Sequence, residues 1–465
     1  MRKGIFTLFF LISITAFANN ITVTNTGLSG QNTTSDFTLV NFDVAWENSW
    51  RTSTNESNYD GAWIFVKFRK NGTTDWRHCT INSTGNTAGA GSAFSVPADG
   101  KGAFIFRSGD GLGNVNFTTN KLQWNYGADG LLDNDSVEIR VFALEMVYIP
   151  QGAFYLGSGG TEANPFENGT TNTPYLVTGN GVITVGTAAG NLNMNGNGAA
   201  GTILAPYPKG FNAFWIMKYE CSQQQYVDFL NHLDNARAVI NNTQNFFTGA
   251  HPNLVAPQPE RAVGSLGFLR VAAHADWSGL RPMTELEYEK ACRGFNTPSV
   301  PNEYAWGNTT LVPLTTTANT GTATEAVATP VSANAVIASA YSNGSAARTG
   351  LFARPSGSDR TLSGGTYYGV MNMSDNLYEI VFSAASTPGR NVDAAIHGDG
   401  FLAANGNSSI TLWNDYNAYG HRGSSWAGPV GEARVSNRNN ANFFVSYPSD
   451  FISTQHGIRL VRTAQ

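Results

Sequence analysis

Hydrophobic and polar positions alternate in the first third of the chain. Phe42, Val44 and Trp46 are separated by polar or small residues, and Val137, Ile139, Val141 and Ala143 repeat the pattern. A period of two puts one face of a strand in a core and the other in water, so both stretches are predicted strands. Between them, Trp63-Ile-Phe-Val-Lys-Phe-Arg-Lys is an almost unbroken β-rich run. Turn signals separate these segments at Asn71-Gly72, Asp110-Gly111 and Asp129-Gly130, because Asn, Asp and Gly accept the backbone angles of tight turns. Helical spacing is absent before Ala143. The pattern predicts an antiparallel β-sandwich of immunoglobulin-like size over residues 19–144.

From residue 145 to 465 the pattern changes. A Gly, Asn and Thr-rich segment at 158–205 carries only short β-like pieces such as Val182-Ile-Thr-Val, and reads as an insertion in an early hairpin. Two capping boxes follow. Ser222 with Gln225 precedes Tyr226, Phe229, Leu230 and Leu233 at helical spacing, and Thr284 with Glu287 precedes Leu286, Tyr288 and Ala291. On the second helix Glu285 and Glu289 share a face, which predicts a solvated side. After Arg293 helical signals are scarce. The whole is predicted to be mainly β with α+β character.

Composition narrows the class. Fifty glycines, 12% aromatic and only 13% charged residues fit a turn-rich extracytoplasmic protein. Arg2 and Lys3 followed by the apolar run Ile5–Phe17 and Ala16-Phe17-Ala18 predict a signal peptide over residues 1–18. The expected location is therefore secreted, periplasmic or at the cell surface. No cysteine follows that run, which argues against lipid attachment there, and no later stretch is long enough to span a bilayer. The net charge of −5 comes with no basic cluster, so nucleic acid is not an expected partner. Cys79, Cys221 and Cys292 allow at most one disulfide; Cys221 and Cys292, placed on the two predicted helices, read as small buried hydrophobes. Seven histidines, at 78, 232, 251, 274, 397, 421 and 456, show no metal-binding spacing. Asp129, Asp133 and Asp135 could supply oxygens to calcium, but a plain turn explains them as well.

A ladder of short segments carries more information than any of them alone. In order these are Met146-Val-Tyr-Ile-Pro-Gln-Gly-Ala-Phe, Lys218-Tyr-Glu-Cys-Ser, Arg281-Pro-Met-Thr-Glu-Leu-Glu-Tyr-Glu, Tyr304-Ala-Trp-Gly-Asn, Met373-Ser-Asp-Asn-Leu-Tyr-Glu, Arg422-Gly-Ser-Ser-Trp, Arg434-Val-Ser-Asn-Arg and Gly457-Ile-Arg-Leu-Val-Arg. Together they resemble the formylglycine-generating enzyme (sulfatase-modifying factor) family. The resemblance implies a C-type-lectin-like fold with little regular secondary structure over 145–465. It also implies a copper-dependent oxidase acting on sulfatase cysteines, through two thiolates that select soft Cu(I). Aligned on Arg434 and Arg438, those two thiols fall on Val430 and Val435. Valine cannot bind copper, so copper is not expected and the enzyme reading weakens to that of a pseudoenzyme.

The resemblance further implies a structural calcium on Asp375-Asn376-Leu377-Tyr378-Glu379, with Glu379, Asn376, Asp375 and Leu377 as ligands. In the alternative reading Glu379 pairs with Arg434 or Arg438. A second, weaker calcium candidate is Asn319. The leading expectation for function is a secreted or surface non-catalytic binding or structural protein, contacting a protein or glycan. Two others stand beside it: the copper-dependent oxidase, and a subunit of a surface assembly, for which self-assembly would be required.

Overall fold

The computed structural model describes residues 20–295, 298–354, 359–447 and 449–464. The signal peptide expected over 1–18 lies outside them. Strands β1 (Thr22–Asn32), β2 (Phe37–Arg51), β3 (Tyr59–Lys70), β4 (Ser92–Ser95), β5 (Ala103–Arg107), β6 (Gly111–Trp124) and β7 (Val137–Ile149) make two antiparallel layers. One layer is β1–β2–β6 and the other is β4–β5–β3–β7, joined by the single pair Arg51–Tyr59.

The alternation in β2 does what it predicts. Val40, Phe42, Val44 and Trp46 point inward and meet Ala62, Ile64, Val66 and Phe68 of β3. The apolar run of β3 has a different cause: it is buried on both faces. Its other face, Trp63 and Phe65, packs against side chains of the C-terminal region, including Trp215 and Trp277. Lys67 shares that buried face. Its Nζ donates to the Gly400 carbonyl at 3.0 Å and sits 5.0 Å over the Trp277 ring.

The expected boundary at 144/145 falls inside β7. That strand pairs with β3 from Val137 to Tyr148, and its last four residues pair on the other edge with β8 (Phe214–Met217). Later in the chain come β9 (Tyr378–Phe382), β10 (Tyr419–Arg422) and β11 (Leu460–Thr463). The sheet continues from β8 to β11 and to the two-residue strand Arg281–Pro282. An ion cluster reinforces the join: the Lys218 ammonium, just after β8, lies 3.0 Å from Asp60 of β3 and 3.2 Å from Glu145 of β7, all buried.

Both capping boxes are present. Ser222 caps α1 (Gln223–Asn231) and Thr284 caps α4 (Glu285–Arg293). Helices α2 (Asn235–Asn241) and α3 (Phe268–Ser278), and two single turns at Arg360–Ser363 and Thr387–Arg390, are not predicted by the sequence pattern. Helix α3 starts at Gly267 without a side-chain cap and buries all but one of its eleven residues, so it lacks both a start signal and a polar face. The 158–205 segment pairs Phe154–Leu156 with Tyr175–Val177 and adds a small four-stranded sheet. Its Val177, Ile183, Leu192 and Met194 enter the main core, so the insertion is integrated with the fold.

Candidate functional site

Helix α4 lies at the centre of the C-terminal region with every residue buried. This corrects the solvated face expected for Glu285 and Glu289. Glu285 accepts from Arg422 at 3.0 Å, from Arg438 at 2.8 Å and from the Ala384 amide at 2.9 Å. Glu289 accepts from Arg422 at 2.7 Å, from the Gly157 amide at 2.8 Å and from Arg293. Arg293 also reaches Glu303 at 2.5 Å. Three carboxylates thus meet three guanidiniums. Burial alone would raise the Glu285 and Glu289 carboxyls, but Arg438 and Arg422 beside the first, and Arg293 and Arg422 beside the second, outweigh it and hold both below their ordinary range.

This network supports the segment that carries Val430 and Val435. Arg422 donates to the Val435 carbonyl at 2.5 Å, and the Val435 amide donates to the Glu303 carbonyl at 2.9 Å. Val435 is fully buried beside Tyr288, Cys292, Met373 and Val381. Val430 is half-buried in a different cluster, against Tyr304, Trp306 and Ile337. The insertion closes over the same region. Arg438 lies 3.9 Å from the Phe166 ring centroid, its amide donates to the Ala163 carbonyl, and its own carbonyl accepts from Asn197 at 2.7 Å.

The turn that leads into β9 holds the four residues expected to ligate calcium. Asp375 accepts from the Val336 amide at 2.7 Å and from Asn372 Nδ2 at 3.2 Å. Asn376 accepts from the Ala347 amide at 2.8 Å and donates to Glu220. The Leu377 amide donates to Glu220 at 2.9 Å. Glu379 pairs with Arg459 at 2.6 Å, so neither Arg434 nor Arg438 is its partner. Glu220 and Arg459 had no place in the sequence reading, although both sit in the quoted ladder as charges embedded in apolar runs. The donors do not fit a calcium cage: their side-chain oxygens are engaged by protein groups except Glu379 Oε2, and the Arg459 cation opposes a second positive charge. Among the described residues no three His, Cys, Asp or Glu side chains are placed to hold a metal ion.

This cluster has three carboxyls and one arginine, and with one cation for three buried acids the carboxyls shift upward. Burial, followed by the Glu379 charge, pushes Glu220 well up, and burial pushes Asp375 up to about 7. A carboxyl raised in the folded state stabilises fully below its unfolded value and loses that contribution as pH rises through its folded value. Between the ordinary 3.8 and about 7 this carboxyl costs the wild type up to ~1.4 kcal/mol per pH unit. Asp375→Asn is expected to gain stability over wild type between pH 5 and pH 8. The new amide keeps the acceptor for Val336, and Asn372, whose Oδ1 has no partner, can turn to receive its N–H. Urea unfolding at the two pH values checks this; an unchanged difference would mean that Asp375 is ionised throughout.

The other candidates separate. Asp129 binds Thr80 and Trp124, Asp133 accepts from Tyr126, and Asp135 accepts from the Leu132 amide, each as a turn residue. Asn319 donates to Thr324 within its own turn. Cys79, Cys221 and Cys292 are buried free thiols, each in a different apolar cluster. Cys221 lies just before the cap of α1 instead of on the helix. Its Sγ is 3.9 Å from His274 Nε2, but burial pushes this thiol far up, and burial pushes that of Cys292 to about 12. Burial raises the Cys79 thiol as well, and the thiolate is the reactive form, so none of the three is activated as a nucleophile.

The family model for the sulfatase-modifying factor enzyme 1-like domain matches residues 138–464, well over half of the chain. The chain belongs to that family. The C-type-lectin-like fold expected of the C-terminal region follows from this membership, and the match begins one residue into β7. No curated protein matches the chain. Within the sulfatase-modifying factor family domain, the buried Glu–Arg network is the support beneath the segment that carries Val430 and Val435.

Proposed function

We propose that this chain is a non-catalytic member of the sulfatase-modifying factor family, acting outside the cytoplasm as a binding or structural protein. One observation carries the reading. On the alignment anchored at Arg434 and Arg438 the two cysteine positions fall on Val430 and Val435, and Val435 is fully buried among apolar side chains. A metal-binding thiol must be accessible and deprotonated, and an aliphatic side chain packed into a core is neither. Of the remaining thiols, Cys79 and Cys221 are buried in other clusters, and Cys292, which packs in the cluster of Val435, is buried and pushed up to about 12 by that burial. Among the described residues no helix is long and apolar enough to cross a membrane.

The test combines metal content of the purified mature protein with oxygen consumption on a cysteine-containing sulfatase peptide. The expected result is no turnover and no stoichiometric copper. Stoichiometric copper with peptide oxidation would overturn the reading and restore the oxidase. Stoichiometric calcium would leave the non-catalytic reading intact.

A further inference from the structure

A cavity of about 540 Å³ lies where the N-terminal sandwich meets α1 and α3. Its size is that of a small-molecule site. The apolar wall is built by Val23, Phe65, Phe142 and Trp277, and the polar positions include Asp228, His274 and Glu260. No lysine or arginine is among the described residues that line it.

The polar groups are incompletely partnered. Asp228 accepts one hydrogen bond, from Gln224 at 2.9 Å, and forms no salt bridge among the described residues. His274 and Trp277 are almost completely buried, yet His274 Nδ1 and Trp277 Nε1 have no hydrogen-bond partner in the chain. Buried polar atoms are normally satisfied; of these two, the His274 Nδ1 of a neutral imidazole can accept an N–H, whereas the Trp277 Nε1–H only donates and is not completed by a cation. Burial also pushes the Asp228 carboxyl up to about 6, as expected of an acid in an apolar cleft without a nearby cation. Glu260 adds a second carboxylate to the rim.

We propose that this cavity binds an organic cation, an amine or guanidinium on an aromatic or branched aliphatic body, with its charge at Asp228 and its body against Phe65, Phe142 and Trp277. Aromatic faces favour cations as well as apolar groups, so the two parts of such a ligand are recognised together. The cation can come from a free small molecule or from a lysine or arginine side chain of a protein partner. The cavity shares no lining residue with the Asp375–Glu379 turn or with Val430 and Val435, so its fate is independent of the non-catalytic reading.

Calorimetric titration of the mature protein with phenethylamine, phenethyl alcohol, phenylacetate and a lysine-containing peptide tests this. Phenethylamine or the peptide is expected to bind, the alcohol at least tenfold more weakly, and phenylacetate not at all. Binding of the peptide without phenethylamine assigns the cation to a protein partner; the reverse assigns it to a free amine. Asp228→Asn is expected to lower the affinity at least tenfold with a melting temperature no lower than that of wild type, since burial raises this carboxyl and the amide removes that cost. Should that variant not fold, Glu260→Gln is expected to give a severalfold loss. Equal affinity for the amine and the alcohol, no binding of either cation, or no effect of the carboxylate substitutions would overturn the proposal.

Discussion

Arg422→Met is expected to destabilise the protein by about 3–5 kcal/mol, enough to remove most of the net stability of a typical domain. The side chain is fully buried and links Glu285 to Glu289 while holding the Val435 carbonyl. Methionine fills a similar volume but leaves two buried carboxylates with one guanidinium fewer. The loss should be largest at neutral pH and smaller at pH 5, because carboxyls released from Arg422 move upward and can be neutralised by protonation. Adding Glu289→Gln to the variant should recover part of the loss, since it removes one of the stranded charges. Urea denaturation of the three proteins at both pH values measures this. A loss below about 1 kcal/mol, of the size seen for exposed pairs, would show that the network is not a structural support.

Trp215→Ala is expected to cost a similar amount, about 3–5 kcal/mol, and to lower the stability of the N-terminal sandwich and the C-terminal region together. Trp215 belongs to β8, yet its ring stacks on Phe104 of β5 with centroids 4.3 Å apart and meets the ring of Tyr59 of β3 edge-on at 5.4 Å. The core is therefore common to both parts. Calorimetry should show one unfolding transition in wild type and variant, with the midpoint lowered in the variant. Two separate transitions, only one of them moved, would mean that the shared β7 does not couple the two halves.

The parts of this architecture that were legible in the sequence are those governed by local rules. Alternation in β2 and the capping boxes of α1 and α4 each require only neighbours along the chain, and they are found where expected. Features that depend on distant partners were not legible. Glu285 and Glu289 share a helix face by spacing alone, but what covers that face arrives from Arg422 and Arg438, more than 130 residues away. The partner of Glu379 was misassigned for the same reason, since Arg459 and Arg438 are equally plausible until the chain is folded. The change in composition near residue 145 is real, but backbone pairing ignores it, and β7 runs through. The positions of Val430 and Val435 came from the ordered segments, whereas their enclosure depends on α4, the arginines and the insertion.

The three free cysteines lie in three different apolar clusters, Cys79 in the sandwich, Cys221 in the common core and Cys292 beside Val435. Since only an exposed, ionised thiol is readily alkylated, each labels when its own surroundings open. The chain therefore carries three built-in reporters, and the rates at which a thiol reagent modifies each would show whether sandwich, centre and the region under Val435 breathe independently or in concert.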